Sequence, residues 1–97
     1  MDKKEYDNQR NSLEEDYKRS LASFNVISER LENAMRNLDI SQSGRSVIPK
    51  VNARINESRQ NIRLLMNQNQ DNISDLKKEY RLKLDHLEIE YEESREK

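Results

Sequence analysis

From Tyr6 onward the apolar residues fall at Tyr6, Leu13, Tyr17, Leu21, Phe24, Ile27, Leu31, Met35 and Leu38, in steps of seven, four or three. Such steps keep side chains on one side of an α-helix, whose period is about 3.6 residues. No Gly or Pro interrupts Lys3 to Leu38, and Asp2 followed three residues later by Glu5 has capping-box spacing. The pattern predicts a first helix over about residues 3–38.

A second stripe runs through Ile48, Val51, Ile55, Ile62, Leu65 with Met66, Ile73, Leu76, Tyr80, Leu84, Leu87 and Tyr91. It predicts a second helix over about residues 49–93. Between the stripes, residues 39–48 collect the only Gly and several small polar side chains, and Pro49 follows where a first helical turn tolerates proline. The fold class is therefore all-α. Residues 1–97 form a single domain, two long helices folded back as an antiparallel, coiled-coil-like hairpin. Each helix offers only a narrow apolar stripe, so the hairpin is expected to complete a bundle with a partner or a second copy.

A turn centred near Gly44 makes facing residues sum to about 88 or 89. Ser20 then faces Asn69 in a buried polar layer of the kind that sets register. Arg10 lies near Glu79 and Glu29 near Arg59 in the same alignment. Met1 reaches only to about residue 87, leaving Leu87, Ile89 and Tyr91 in an overhang of ~15 Å without an intrachain partner.

Composition narrows the function classes. Of 97 residues 38% are charged and 32% hydrophobic, with one Gly, one Pro, no Cys and no Trp. All-β architectures need turn residues every ~8–12 positions and are excluded. Without cysteine there is no disulfide framework, thiolate zinc site or thiol nucleophile. No apolar run approaches the ~20 residues of a membrane span, and Met1-Asp2-Lys3-Lys4-Glu5 has no secretory h-region. A cytoplasmic protein, or one exported without a Sec signal, is the expectation. The net charge of -1 hides an asymmetry. Residues 1–39 hold 7 basic and 9 acidic side chains, residues 40–70 hold 5 and 1, and residues 71–97 hold 6 and 9, so the regional charges are -2, +4 and -3.

Catalysis needs a concave, partly dry site, which a pair of helices does not offer. No catalytic, cofactor or metal residue is assigned, and no small-molecule substrate is expected. His86 with Glu90 four residues on supplies two of the four ligands of a structural metal site. Glu14-Glu15-Asp16 and the carboxylates from Glu88 to Glu93 lack a Gly-centred calcium loop and read as solvated faces. A basic tip of Arg45, Lys50, Arg54, Arg59 and Arg63 has the charge to follow a phosphate backbone. No aromatic lies between Phe24 and Tyr80 to stack bases, and Glu29, Glu32 and Asp39 complement the same charges. Intrachain or partner salt bridges are the first reading, ahead of nucleic acid or anionic lipid. Tyr6, Leu84, Leu87 and Tyr91, at the open end, are candidate partner-binding residues, because aromatic anchors dominate interface energetics.

The layout of two long helices, a central loop with Gly44 and an acidic C-terminus containing Tyr91 resembles the small WXG-type proteins of type VII secretion. More particularly it resembles the charged helical-hairpin proteins that accompany LXG toxins. Gln42-Ser43-Gly44 stands where W-x-G would, and Tyr91 is followed four residues later by Arg95 rather than by an acid. The resemblance implies a targeting adaptor or chaperone that pairs with the toxin's helical domain, the partner carrying the missing signals. An intracellular structural coiled-coil subunit of a scaffold or tethering complex is the alternative.

Overall fold

The computed structural model describes residues 1–43 and 48–95. It consists of two helices, α1 (Lys3–Ser43) and α2 (Pro49–Arg95), with no strand among the described residues. Their 41 and 47 residues correspond to ~62 and ~70 Å at ~1.5 Å per residue. The helices pack against each other as a hairpin, the all-α architecture that the two stripes predict.

Both helices start as the sequence predicts. The Asp2 carboxylate accepts the backbone N–H of Glu5 at 2.8 Å, and the Asp2 carbonyl accepts that of Tyr6 at 3.0 Å. Asp2 thereby satisfies one of the donors left over at a helix start, with Glu5 in the first turn beside the positive end of the dipole. Pro49 opens α2, and the Ile48 carbonyl accepts from Val51 and Asn52, both at 3.1 Å.

The end of α1 differs from the expectation. The helix continues five residues past Leu38, so residues 39–43 of the expected loop are helical. Nothing between Asp39 and Ser43 breaks a helix, and serine and glutamine cost only a fraction of a kcal/mol each there. Gly44 comes next in sequence.

Contacts divide the hairpin into a terminal unit, Met1–Ser23 with Asn72–Lys97, and a central unit, Phe24–Asp71. In the terminal unit Tyr6 stacks on Tyr91 and Tyr17 on Tyr80, pairs whose numbers sum to 97. In the central unit Ser28 meets Asn69, again summing to 97, and Asp39 meets Arg59, summing to 98. The register is therefore displaced by eight to ten from the expected sum. The expected pairings of Arg10 with Glu79 and of Glu29 with Arg59 fall with it, since Glu79 pairs with Lys83 of its own helix and Arg59 with Asp39.

Burial is thin, because two helices cover only one side of each other. Among the described residues Leu87 and Asn69 alone are buried, each 5% exposed. The half-buried positions of α2 in the central unit are Asn52, Ile55, Arg59, Ile62 and Met66, which with Asn69 step by three and four in strict alternation. That is the spacing of a coiled-coil seam. Phe24, Ser28, Leu31, Met35 and Leu38 form the matching seam of α1.

Candidate interaction surface

The terminal unit is held by aromatic stacking. The Tyr6 and Tyr91 rings lie 4.4 Å apart at 21°, and those of Tyr17 and Tyr80 lie 4.3 Å apart at 4°. Such pairs add about 0.5–1.5 kcal/mol beyond their area burial. The Arg95 guanidinium sits 5.6 Å from the Tyr91 ring centroid, within cation–π range. The Met1 ammonium donates to Ser94 Oγ at 2.9 Å. These contacts overturn the expected overhang: Tyr91 has Tyr6 as its partner, and Leu87 is buried in the hairpin. Of the four residues assigned to partner binding, Tyr6, Leu84 and Tyr91 are half-buried and Leu87 is buried, so all four already serve the helix pair.

Two grooves open on this unit. Leu13, Tyr17, Ser20, Leu76, Glu79 and Tyr80 line one, and Gln9, Ser12, Leu13, Lys83, His86 and Glu90 border the other. Among the described residues no group of three or more His, Asp or Glu side chains is placed to hold a metal ion.

In the central unit Asn69 carries the polar layer. Its amide donates to the Phe24 carbonyl at 3.0 Å and to Ser28 Oγ at 2.7 Å. Asn69 is the buried polar residue that the sequence suggests, but the serine it meets is Ser28, and Ser20 lies in the terminal unit. The eight residues between the two serines are the register displacement itself, and both fall on the seam side of α1.

Near its C-terminal end α1 offers no basic side chain in its last turn. Arg59 of α2 supplies a cation there, donating to Asp39 Oδ1 at 2.8 Å from a half-buried position. Of the expected basic tip, Arg45 lies outside the described residues, while Lys50, Arg54 and Arg63 are exposed. Arg54 and Arg63 are nine residues apart, half a revolution round the helix at ~100° per residue. Together with the engagement of Arg59, that disposition does not form one phosphate-tracking strip.

The sides of the central seam differ in chemistry. One position before the seam residues Ser28 and Met35 stand Ile27 and Ala34; one position before Asn52, Arg59 and Met66 stand Val51, Ser58 and Leu65. In an antiparallel pair these preceding positions lie on the same side of both helices. Ile27, Val51 and Leu65 are 42%, 45% and 51% exposed. The opposite side holds the positions that follow Phe24, Leu31, Leu38, Ile55, Ile62 and Asn69, namely Asn25, Glu32, Asp39, Asn56, Arg63 and Gln70. One flank is thus apolar or small and the other is polar. Hydrophobicity alone misses this, since it picks Ile27, Val51 and Leu65 as seam residues. The alternating three and four steps running back from Tyr80 to Asn52 are the signal that places Asn52, Arg59 and Met66 on the seam instead.

No protein-family model matches the chain, and neither a curated protein nor a solved structure is significantly similar to it. Among the described residues no helix is long and apolar enough to cross a membrane.

Proposed function

We propose that this chain is a non-enzymatic protein–protein interaction module, an accessory hairpin that pairs with the helical domain of a larger protein. In its most specific form the proposal is a targeting adaptor or chaperone for an LXG-type toxin of type VII secretion. The observation that carries it is the apolar surface the hairpin leaves uncovered. Nine large hydrophobic side chains among the described residues are exposed, against one that is buried. The accessible surface of 7865 Å² exceeds by about 2,000 Å² the ~5,800 Å² of a compact monomer of 11.6 kDa. A standard protein–protein interface removes about 800 Å² of each partner's surface from water, so an excess of this size leaves ample room for a helical partner.

The test is co-expression with each protein encoded beside the chain, followed by mass measurement in solution. A complex of defined stoichiometry with a helical neighbour, and a raised melting temperature for the hairpin within it, is the expected result. A cooperatively melting monomer that ignores every neighbour would overturn the reading. Self-association that grows with concentration would replace it with a structural coiled-coil subunit.

A further inference from the structure

We propose that the apolar flank of the central unit is the docking surface for a helix whose apolar stripe is bordered by carboxylates. This rests on the interaction-module reading and adds to it the face used and the chemistry of the partner. The flank consists of Ile27 and Ala34 on α1 with Val51, Ser58 and Leu65 on α2. Val51 to Leu65 covers two heptads, ~21 Å at ~1.5 Å per residue, the length of about four turns of a docked helix. Ala34 and Ser58 have short side chains, which lets a third helix approach the seam between the larger residues at either end.

Charge selects the occupant. Three residues after Ile27 comes Arg30, and three after Val51 comes Arg54, each about 60° further from the seam on the same flank. Both are exposed. The carboxylates of the central unit lie elsewhere: Glu29, Glu32 and Asp39 toward the polar flank, Glu57 and Asp71 on the outer side of α2. Among the described residues the charged groups on the rim of the apolar strip are therefore cations, and its other rim positions are the neutral Asn37, Asn61 and Gln68. A helix with Asp or Glu beside its apolar stripe satisfies both features, and complementary rims also speed and orient encounter. A second copy docked face to face through this flank would bring together two strips whose charged rims are both cationic, and would supply no carboxylate to Arg30 or Arg54. Nucleic acid finds no exposed aromatic to stack on, since Phe24 is the only aromatic of the central unit and is half-buried on the seam.

The probes are two labelled synthetic helices of about three heptads with the same leucine stripe, one flanked by glutamates and one by lysines. Fluorescence anisotropy with the full chain should show binding of the glutamate peptide, weakening as salt is raised. Leu65→Glu, and separately Arg30→Glu with Arg54→Glu, should reduce its affinity about tenfold or more, whereas Arg63→Glu on the polar flank should change it less than about twofold. Circular dichroism melts should give all variants nearly the parent's melting temperature, since each altered side chain is exposed. Equal or tighter binding of the lysine peptide, an equal loss with Arg63→Glu, or no binding of the glutamate peptide at about 1 mM would overturn the proposal. So would binding of double-stranded DNA or anionic vesicles through Arg54 in place of the peptide. A helical neighbour that binds the chain and tolerates Leu65→Glu and Arg54→Glu would remove the surface assignment while leaving the interaction reading standing. Failure of every helical protein to bind would remove both.

Discussion

Asn69 spends a buried seam position on an amide where a leucine would pack. Its two hydrogen bonds meet a helical carbonyl, which is already the acceptor of its own helix, and a serine hydroxyl that can turn back to the Phe24 carbonyl four residues earlier. Neither partner is orphaned when the amide is removed. Asn69→Leu should therefore leave stability unchanged or raise it, whereas Asn69→Ala, which also opens a void, should cost about 1–2 kcal/mol. Urea denaturation of the two variants checks this, and equal destabilisation by both would show that the amide itself carries the stability. The amide's return lies in specificity, because a seam of leucines and isoleucines accepts a heptad slip that an asparagine opposite a serine resists. Asn69→Leu should accordingly yield additional oligomers on sedimentation. Arg59 behaves differently: its partner Asp39 is 60% exposed, so Asp39→Asn should cost no more than about 1 kcal/mol.

At the scale of the helices, the two starts are unequal. Asp2 caps α1 with its carboxylate, while α2 begins at Ile48-Pro49 with a side chain that has no acceptor to offer. Ile48 is exposed, so little packing is lost when it is replaced. Ile48→Asp should stabilise the hairpin by about 1 kcal/mol through the missing cap and the helix dipole. Thermal melts at low and high salt measure the gain and how much of it is electrostatic; no gain would mean that Ile48 packs in a way its exposure does not reveal. The helices themselves were legible in the stripes, and so were the Asp2 cap and Pro49 at the first turn. Register was not. A sum of 88 and a sum of 97 differ by little more than one heptad, and a displacement of that size returns nearly the same apolar positions to the seam. Periodicity cannot separate such alignments, and centring the turn on Gly44 chose between them wrongly, because α1 continues to Ser43. The error carried into the site: with it, Leu87 and Tyr91 appear as an unpaired end, when Leu87 is the most buried apolar residue among those described and Tyr91 lies against Tyr6.

For the molecule as a whole, stability and apolar exposure run in opposite directions along the chain. The terminal unit has two tyrosine stacks and buried Leu87 on its seam, and only Leu82 and Ile89 among the large hydrophobics exposed there. In the central unit the seam includes Ser28, Asn52, Arg59 and Asn69, and seven of the nine large hydrophobics exposed among the described residues belong to it. A unit with polar groups on its seam and apolar groups on its surface gains less from folding in water. Amide hydrogen exchange should therefore show the central segments of both helices opening at a free energy about 1 kcal/mol or more below the terminal ones. Uniform protection along both helices would contradict this, as would slower exchange in the central unit. The same surface that makes the central unit the weaker half alone makes it the half with most to gain from a third helix. Binding of the glutamate-flanked peptide should raise protection around Ile27, Val51 and Leu65 first, and a rise confined to the tyrosine-stacked unit would place the partner on the wrong half for the flank argued above.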